Sequence, residues 1–96
     1  CNLTAYLFGH AGDGNLHVHV MDDPQNPGRW ARVEEASRNI VMKALDMEGT
    51  CTGEHGIGIG KSCFMEREHG ESLILMKKIK ALLDPDHLFN PGKFFL

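Results

Sequence analysis

The chain predicts an α+β fold, because strand-like stretches come first and amphipathic helical stretches follow. Three observations support this. Residues 16–21 alternate apolar and polar, two later segments keep helical spacing, and a glycine-rich bend separates the first two strand-like runs. With 96 residues the chain holds one small domain at most, with a modest core.

Leu3 to Phe8 is rich in β-branched, aromatic and aliphatic types and predicts the first strand. Gly12-Asp13-Gly14-Asn15 is a dense turn signal. In Leu16 to Met21, Leu16, Val18 and Val20 fall on one face and His17 and His19 on the other. The two runs together predict a β-hairpin with a bend longer than the two-residue minimum.

A polar loop with two prolines covers Asp22 to Gly28, and within it Asn26-Pro27 marks a helix start, Asn26 as N-cap and Pro27 at the first helical position. Trp30, Val33, Ser37, Ile40, Val41, Ala44 and Met47 form the apolar stripe of that helix, and Gly49 stands where a C-cap glycine would end it. After the glycine-rich residues 49–60 comes a second helix with a stripe of Leu73, Met76, Ile79 and Leu83, stopped by Asp84-Pro85. Asp84 is expected to cap a short turn through Leu88, and Asn90-Pro91-Gly92 predicts a type II turn.

Composition narrows the function classes. A formal charge of -3 without a basic stripe gives no reason to expect nucleic acid, and the apolar runs are too short to span a membrane. No signal-peptide pattern opens the chain. Three cysteines, Cys1, Cys51 and Cys63, are odd in number and lack metal-finger spacing, which argues for reduced thiols and an intracellular setting. The chain begins with Cys1 and enters a strand within a few residues, so the expectation is a piece of a longer polypeptide.

Two segments carry the chemistry. In Gly9-His10-Ala11-Gly12-Asp13-Gly14-Asn15-Leu16-His17-Val18-His19 three imidazoles cluster around a tight bend, an arrangement that suits a metal centre. In Gly53-Glu54-His55-Gly56-Ile57-Gly58-Ile59-Gly60-Lys61 a carboxylate and an imidazole sit side by side between glycines. Adjacent residues of an extended segment point oppositely, so Glu54 and His55 are expected to face different partners. By residue type alone, structural roles for His10 and His17 stand level with metal ligation, and residues 56–60 read equally well as a flexible connector. His69 and His87 read as solvated surface residues. Gly60-Lys61-Ser62 ends like a phosphate-cradling loop, but His55 stands where that motif needs a glycine.

The segments from Gly9 to His17, from Gly49-Thr50-Cys51-Thr52-Gly53-Glu54-His55-Gly56 to Gly58, and then Asp84-Pro85 and Asn90-Pro91-Gly92-Lys93 occur in order. This sequence resembles the C-terminal part of the FAD-linked oxidase family, which includes cytochrome-type D-lactate dehydrogenases, the glycolate oxidase flavin subunit and D-2-hydroxyglutarate dehydrogenase. The resemblance implies the C-terminal part of a substrate-cap domain, an antiparallel hairpin packed with two or three amphipathic helices. Residues 1–60 would hold the hairpin, first helix and metal and catalytic loops, and residues 61–96 the second helix and a tail directed to the flavin domain.

It also implies that His10, His17 and Glu54 ligate a divalent metal (zinc, manganese or iron) and that His55 is the general base. His19 falls where a side chain can meet the substrate carboxylate, and Asn90 and Lys93 lie in the tail that approaches FAD. The implied function is oxidation of a D-2-hydroxy acid, with a hydride passing to FAD and the hydroxyl proton to His55. The implied setting is bacterial cytoplasm or a mitochondrion, with an electron acceptor that the sequence does not identify. The isolated piece is expected to be inactive, because the main flavin domain lies outside it, and to be open to self-association through Trp30's helix or the tail Phe94-Phe95-Leu96. The alternatives are a non-catalytic metal-binding module and a structural or interaction domain.

Overall fold

The computed structural model describes residues 3–93. Two compact units divide at the Gly49–Thr50 bond. The first contains strands β1 (Thr4–His10) and β2 (Asn15–Met21) and helix α1 (Pro27–Asp46). The second contains helices α2 (Met65–His69) and α3 (Ser72–Leu83), preceded by the glycine-rich loop. This is the expected α+β content, a two-stranded antiparallel sheet with three helices.

The hairpin register is tightly specified. Phe8 pairs with His17, Tyr6 with His19 and His10 with Asn15, so these six side chains share one face. Leu7 pairs with Val18 and Ala5 with Val20 on the other. Gly9 pairs with Leu16, and a Cβ there would lie 2.2 Å from the Asn15 carbonyl oxygen. Only glycine lets the strands approach this closely beside the bend. The bend itself is a single 3-10 turn, Ala11–Asp13.

An isolated two-stranded hairpin is marginal in water, and α1 supplies what it lacks by packing against β2. Asn26 caps α1 as expected, its Oδ1 accepting from the Arg29 N–H at 3.2 Å, with Pro27 in the first turn. Val33 is buried and Trp30, Val41 and Ala44 are half-buried, whereas Ser37, Ile40 and Met47 are exposed. The packed stripe instead recruits Ala36, Met42 and Leu45. The helix also ends earlier than expected. Its last residue is Asp46, and Glu48, at φ 64°, takes the left-handed conformation in place of Gly49. Gly49 serves another need, since a Cβ on it would stand 2.9 Å from the Ala44 carbonyl oxygen.

In the second unit Phe64 and Met65 are buried, and α3 contributes half-buried Leu73 and Met76, while the other two stripe positions, Ile79 and Leu83, are exposed. The termination of α3 is polar. Asp84 is 4% exposed, and its carboxylate accepts from the Leu88 N–H (2.8 Å), the Phe89 N–H (3.1 Å) and the Lys80 ammonium. Lys80 also donates to the Phe89 carbonyl at 2.7 Å, so the expected Asp84 cap is a hub for the turn through Leu88. The Asn90–Lys93 turn closes with the Lys93 N–H on the Asn90 carbonyl at 3.2 Å and Gly92 at φ 69°, as the type II pattern requires. Phe94-Phe95-Leu96 and Cys1 lie outside the described residues.

The Lys80 hydrogen bond, aided by the Leu88 and Phe89 N–H groups, holds the Asp84 carboxyl below its ordinary value of 3.8 against the opposing effect of burial. A depressed carboxyl contributes stability above its unfolded value and loses it as pH falls through the lowered folded value. We therefore predict that the Asp84 carboxyl carbon, followed by NMR, titrates below 3.8, and that the Leu88 and Phe89 amide signals move in the same step. A titration at or above the ordinary value would contradict this cap.

Candidate functional site

The first unit gathers imidazoles on one strand face. His10 ends β1, and His17 and His19 alternate along β2, so the two-residue period and the register put all three on the face that carries Tyr6 and Phe8. The Phe8 ring meets two of them. It stacks on His17 with centroids 5.0 Å apart and planes at 17°, and meets His19 at 5.0 Å and 42°. His17 is half-buried, while His10 and His19 are exposed to solvent. Imidazoles on one face of a short hairpin are a donor set suited to a borderline divalent ion.

The second unit carries Glu54 and His55. The expectation that they point opposite ways fails: His55 Nε2 lies 3.9 Å from Glu54 Oε1. The reason is local, since residues 53–55 run through successive bends and not along an extended strand. Both side chains are exposed.

The second unit also holds a polar network that residue patterns did not reveal. Glu68 of α2 accepts from the Cys51 N–H at 3.3 Å and from the Cys51 thiol at 3.2 Å, and lies 3.5 Å from His69 Nε2. His69 is thus a half-buried partner of Glu68 and not a solvated surface residue. The Lys61 ammonium donates to the Cys51 carbonyl at 2.6 Å. Burial first, and then the Glu68 carboxylate, push the Cys51 thiol up to about 11. Cys51 and Cys63 are both free thiols, the first buried and the second exposed.

Asn90 and Lys93 line a pocket of about 180 Å³ between α3 and the turn after it, together with Lys77, Lys80, Asp84 and His87. The cationic and amide groups suit an anionic or polar ligand portion. The volume falls short of the ~300–1,000 Å³ of pockets that enclose a drug-sized molecule. No helix among the described residues is long and apolar enough to cross a membrane.

Residues 1–94 match the family described as FAD linked oxidases, C-terminal domain. The chain is 46% identical over 93 residues to the mitochondrial D-lactate dehydrogenase [cytochrome] of Arabidopsis thaliana, which covers 96% of the chain and 16% of that protein. It is 46% identical over 95 residues to glycolate oxidase subunit GlcD of Bacillus subtilis, covering 98% of the chain and 20% of the relative. A probable mitochondrial D-lactate dehydrogenase of Danio rerio is 46% identical over 93 residues, 96% of the chain and 19% of that protein. The chain thus spans a fifth or less of the length of these relatives. No solved structure matches.

With its thiol raised from 9.0 to about 11, Cys51 is protonated at neutral pH and shielded from reagents. Maleimide labelling with peptide mapping at pH 7 is expected to modify Cys63 at least ~10²-fold faster than Cys51, with the difference abolished in denaturant. Equal rates in the folded protein would contradict the buried thiol–carboxylate pair.

Proposed function

Because the chain belongs to the C-terminal domain family of FAD-linked oxidases, we propose that it is the substrate-facing C-terminal part of an FAD-dependent dehydrogenase or oxidase acting on a small D-2-hydroxy acid of the lactate, glycolate or 2-hydroxyglutarate type. The observation that carries this reading is the hairpin register, which sets His10, His17 and His19 on one face of a chain 46% identical to a cytochrome-type D-lactate dehydrogenase.

In this reading His10, His17 and Glu54 would hold a divalent metal, zinc, manganese or iron, as the donor types allow. Such an ion, when bound, supplies Lewis-acid polarisation of the substrate hydroxyl. His55 accepts the hydroxyl proton on a ring nitrogen, with the Glu54 carboxylate 3.9 Å away. His19, exposed beside Phe8, is available to the substrate carboxylate.

FAD, when bound, supplies the acceptor for the hydride that leaves C2 as the 2-hydroxy acid becomes a 2-keto acid. Asn90 and Lys93 would meet only part of it, because their pocket of about 180 Å³ is too small to enclose the whole cofactor. The isolated chain is therefore expected to lack turnover. An intracellular setting, mitochondrial or bacterial cytoplasmic, goes with relatives named as mitochondrial and with a bacterial one.

The test is His55→Ala in the full-length polypeptide, assayed with D-lactate, glycolate and D-2-hydroxyglutarate. Loss of the general base is expected to lower kcat ~10²–10⁴-fold while flavin content and melting temperature hold. Near-normal turnover in a flavin-loaded variant would remove His55 from the reaction.

A further inference from the structure

Residues 53–60 include four glycines, so the segment that carries Glu54 and His55 has more backbone freedom to lose on folding than any other part of the chain. Whatever orders it has to act from its flanks. Lys61 serves both of them: its N–H donates to the Ile57 carbonyl at 3.2 Å, and its ammonium donates to the Cys51 carbonyl at 2.6 Å. One residue therefore closes the stretch 51–57 into a loop, with Glu54 and His55 near its middle.

The far end of this tie is not loose. Cys51 is 4% exposed, and its N–H and thiol both reach the Glu68 carboxylate, at 3.3 and 3.2 Å. Glu68 belongs to α2, beside buried Met65, so the tie runs from Lys61 through Cys51 into the packed part of the second unit. A charge-assisted bond from an ammonium to a half-shielded carbonyl is stronger than a neutral one, and it is placed where it limits motion of the whole loop.

We infer that Lys61 is a positioning residue for the Glu54–His55 pair, acting through the Cys51 carbonyl, with Glu68 as the anchor. The inference rests on the proposed role of His55 as proton acceptor. Lys61 acts on the loop and not on the substrate, so its loss lowers the fraction of productive geometry and not substrate affinity. A displacement of about 1 Å at a reacting group is enough for an effect on the order of 10²-fold.

The experiment compares Lys61→Met, Lys61→Arg and His55→Gln in the full-length, flavin-loaded polypeptide, with kcat and KM measured per folded molecule. Lys61→Met is expected to lose on the order of 10² in kcat with KM within a few-fold, and Lys61→Arg, which keeps a charged donor, to recover most of the loss. Wild-type kcat in Lys61→Met beside a crippled His55→Gln overturns the clamp and leaves the His55 role standing. Wild-type kcat in His55→Gln overturns both. A loss in Lys61→Met that appears only as a raised KM also overturns the clamp. If Lys61→Met does not fold, Lys61→Gln takes its place and is read against the same outcomes.

Discussion

The antiparallel register that pairs Phe8 with His17 decides which side chains the hairpin brings together. With a side-chain period of two, a slip by one residue would send His17 and His19 to the face of Val18 and Val20. Two features oppose that slip. The branched and aliphatic residues of the other face need a dry partner, and Gly9 admits the Asn15 carbonyl where no Cβ could stand. The Phe8 ring then stacks on His17 and tilts against His19, which limits the rotamers of both imidazoles. Strand pairing, glycine and aromatic stacking thus converge on one histidine-bearing face.

Polar anchors do much of the ordering in the second unit. Its buried apolar side chains are few, and Leu82, Leu83, Leu88 and Phe89 are exposed. In compensation, two carboxylates each hold several donors. Asp84 joins the end of α3 to the following turn, and Glu68 joins the glycine-rich loop to α2. Asp84 gathers two backbone N–H groups and Glu68 one, at a helix end and a loop entry where they would otherwise be left unpaired. The Asp84 hub sets the turn that carries Asn90 and Lys93, and the Glu68 anchor sets the entry to Glu54 and His55. Ordering of the chain and placement of the candidate site therefore draw on the same contacts.

What was legible in the sequence follows from the range of each interaction. The hairpin, α1 and α3 are written as periods of 2 and 3.6, and the Asn26 cap, the Asp84 turn and the Asn90–Lys93 turn depend on residues a few positions apart. The imidazole face was legible because alternation alone fixes it. The end of α1 was not, because Glu48 accepts a left-handed conformation that residue statistics reserve for glycine, and the reason Gly49 is glycine lies in the Ala44 carbonyl. The proximity of Glu54 and His55 was missed because glycines on both sides let the segment bend where an extended strand was assumed. The tie of Cys51 to Glu68 spans 17 residues and involves types with no pairing signature. His69 was misread although its partner Glu68 is its neighbour, because its half-burial depends on packing that residue type does not encode.

The proposal at the centre of this account is that His10 and His17 of the hairpin, with Glu54, hold a divalent metal. Its most direct test is the divalent metal content of the full-length polypeptide, purified without chelator, in wild type and in His17→Ala. The account predicts about one ion per wild-type chain, lost in a variant that keeps its fold and flavin. Equal metal in both proteins, or none in an active wild type, would contradict it.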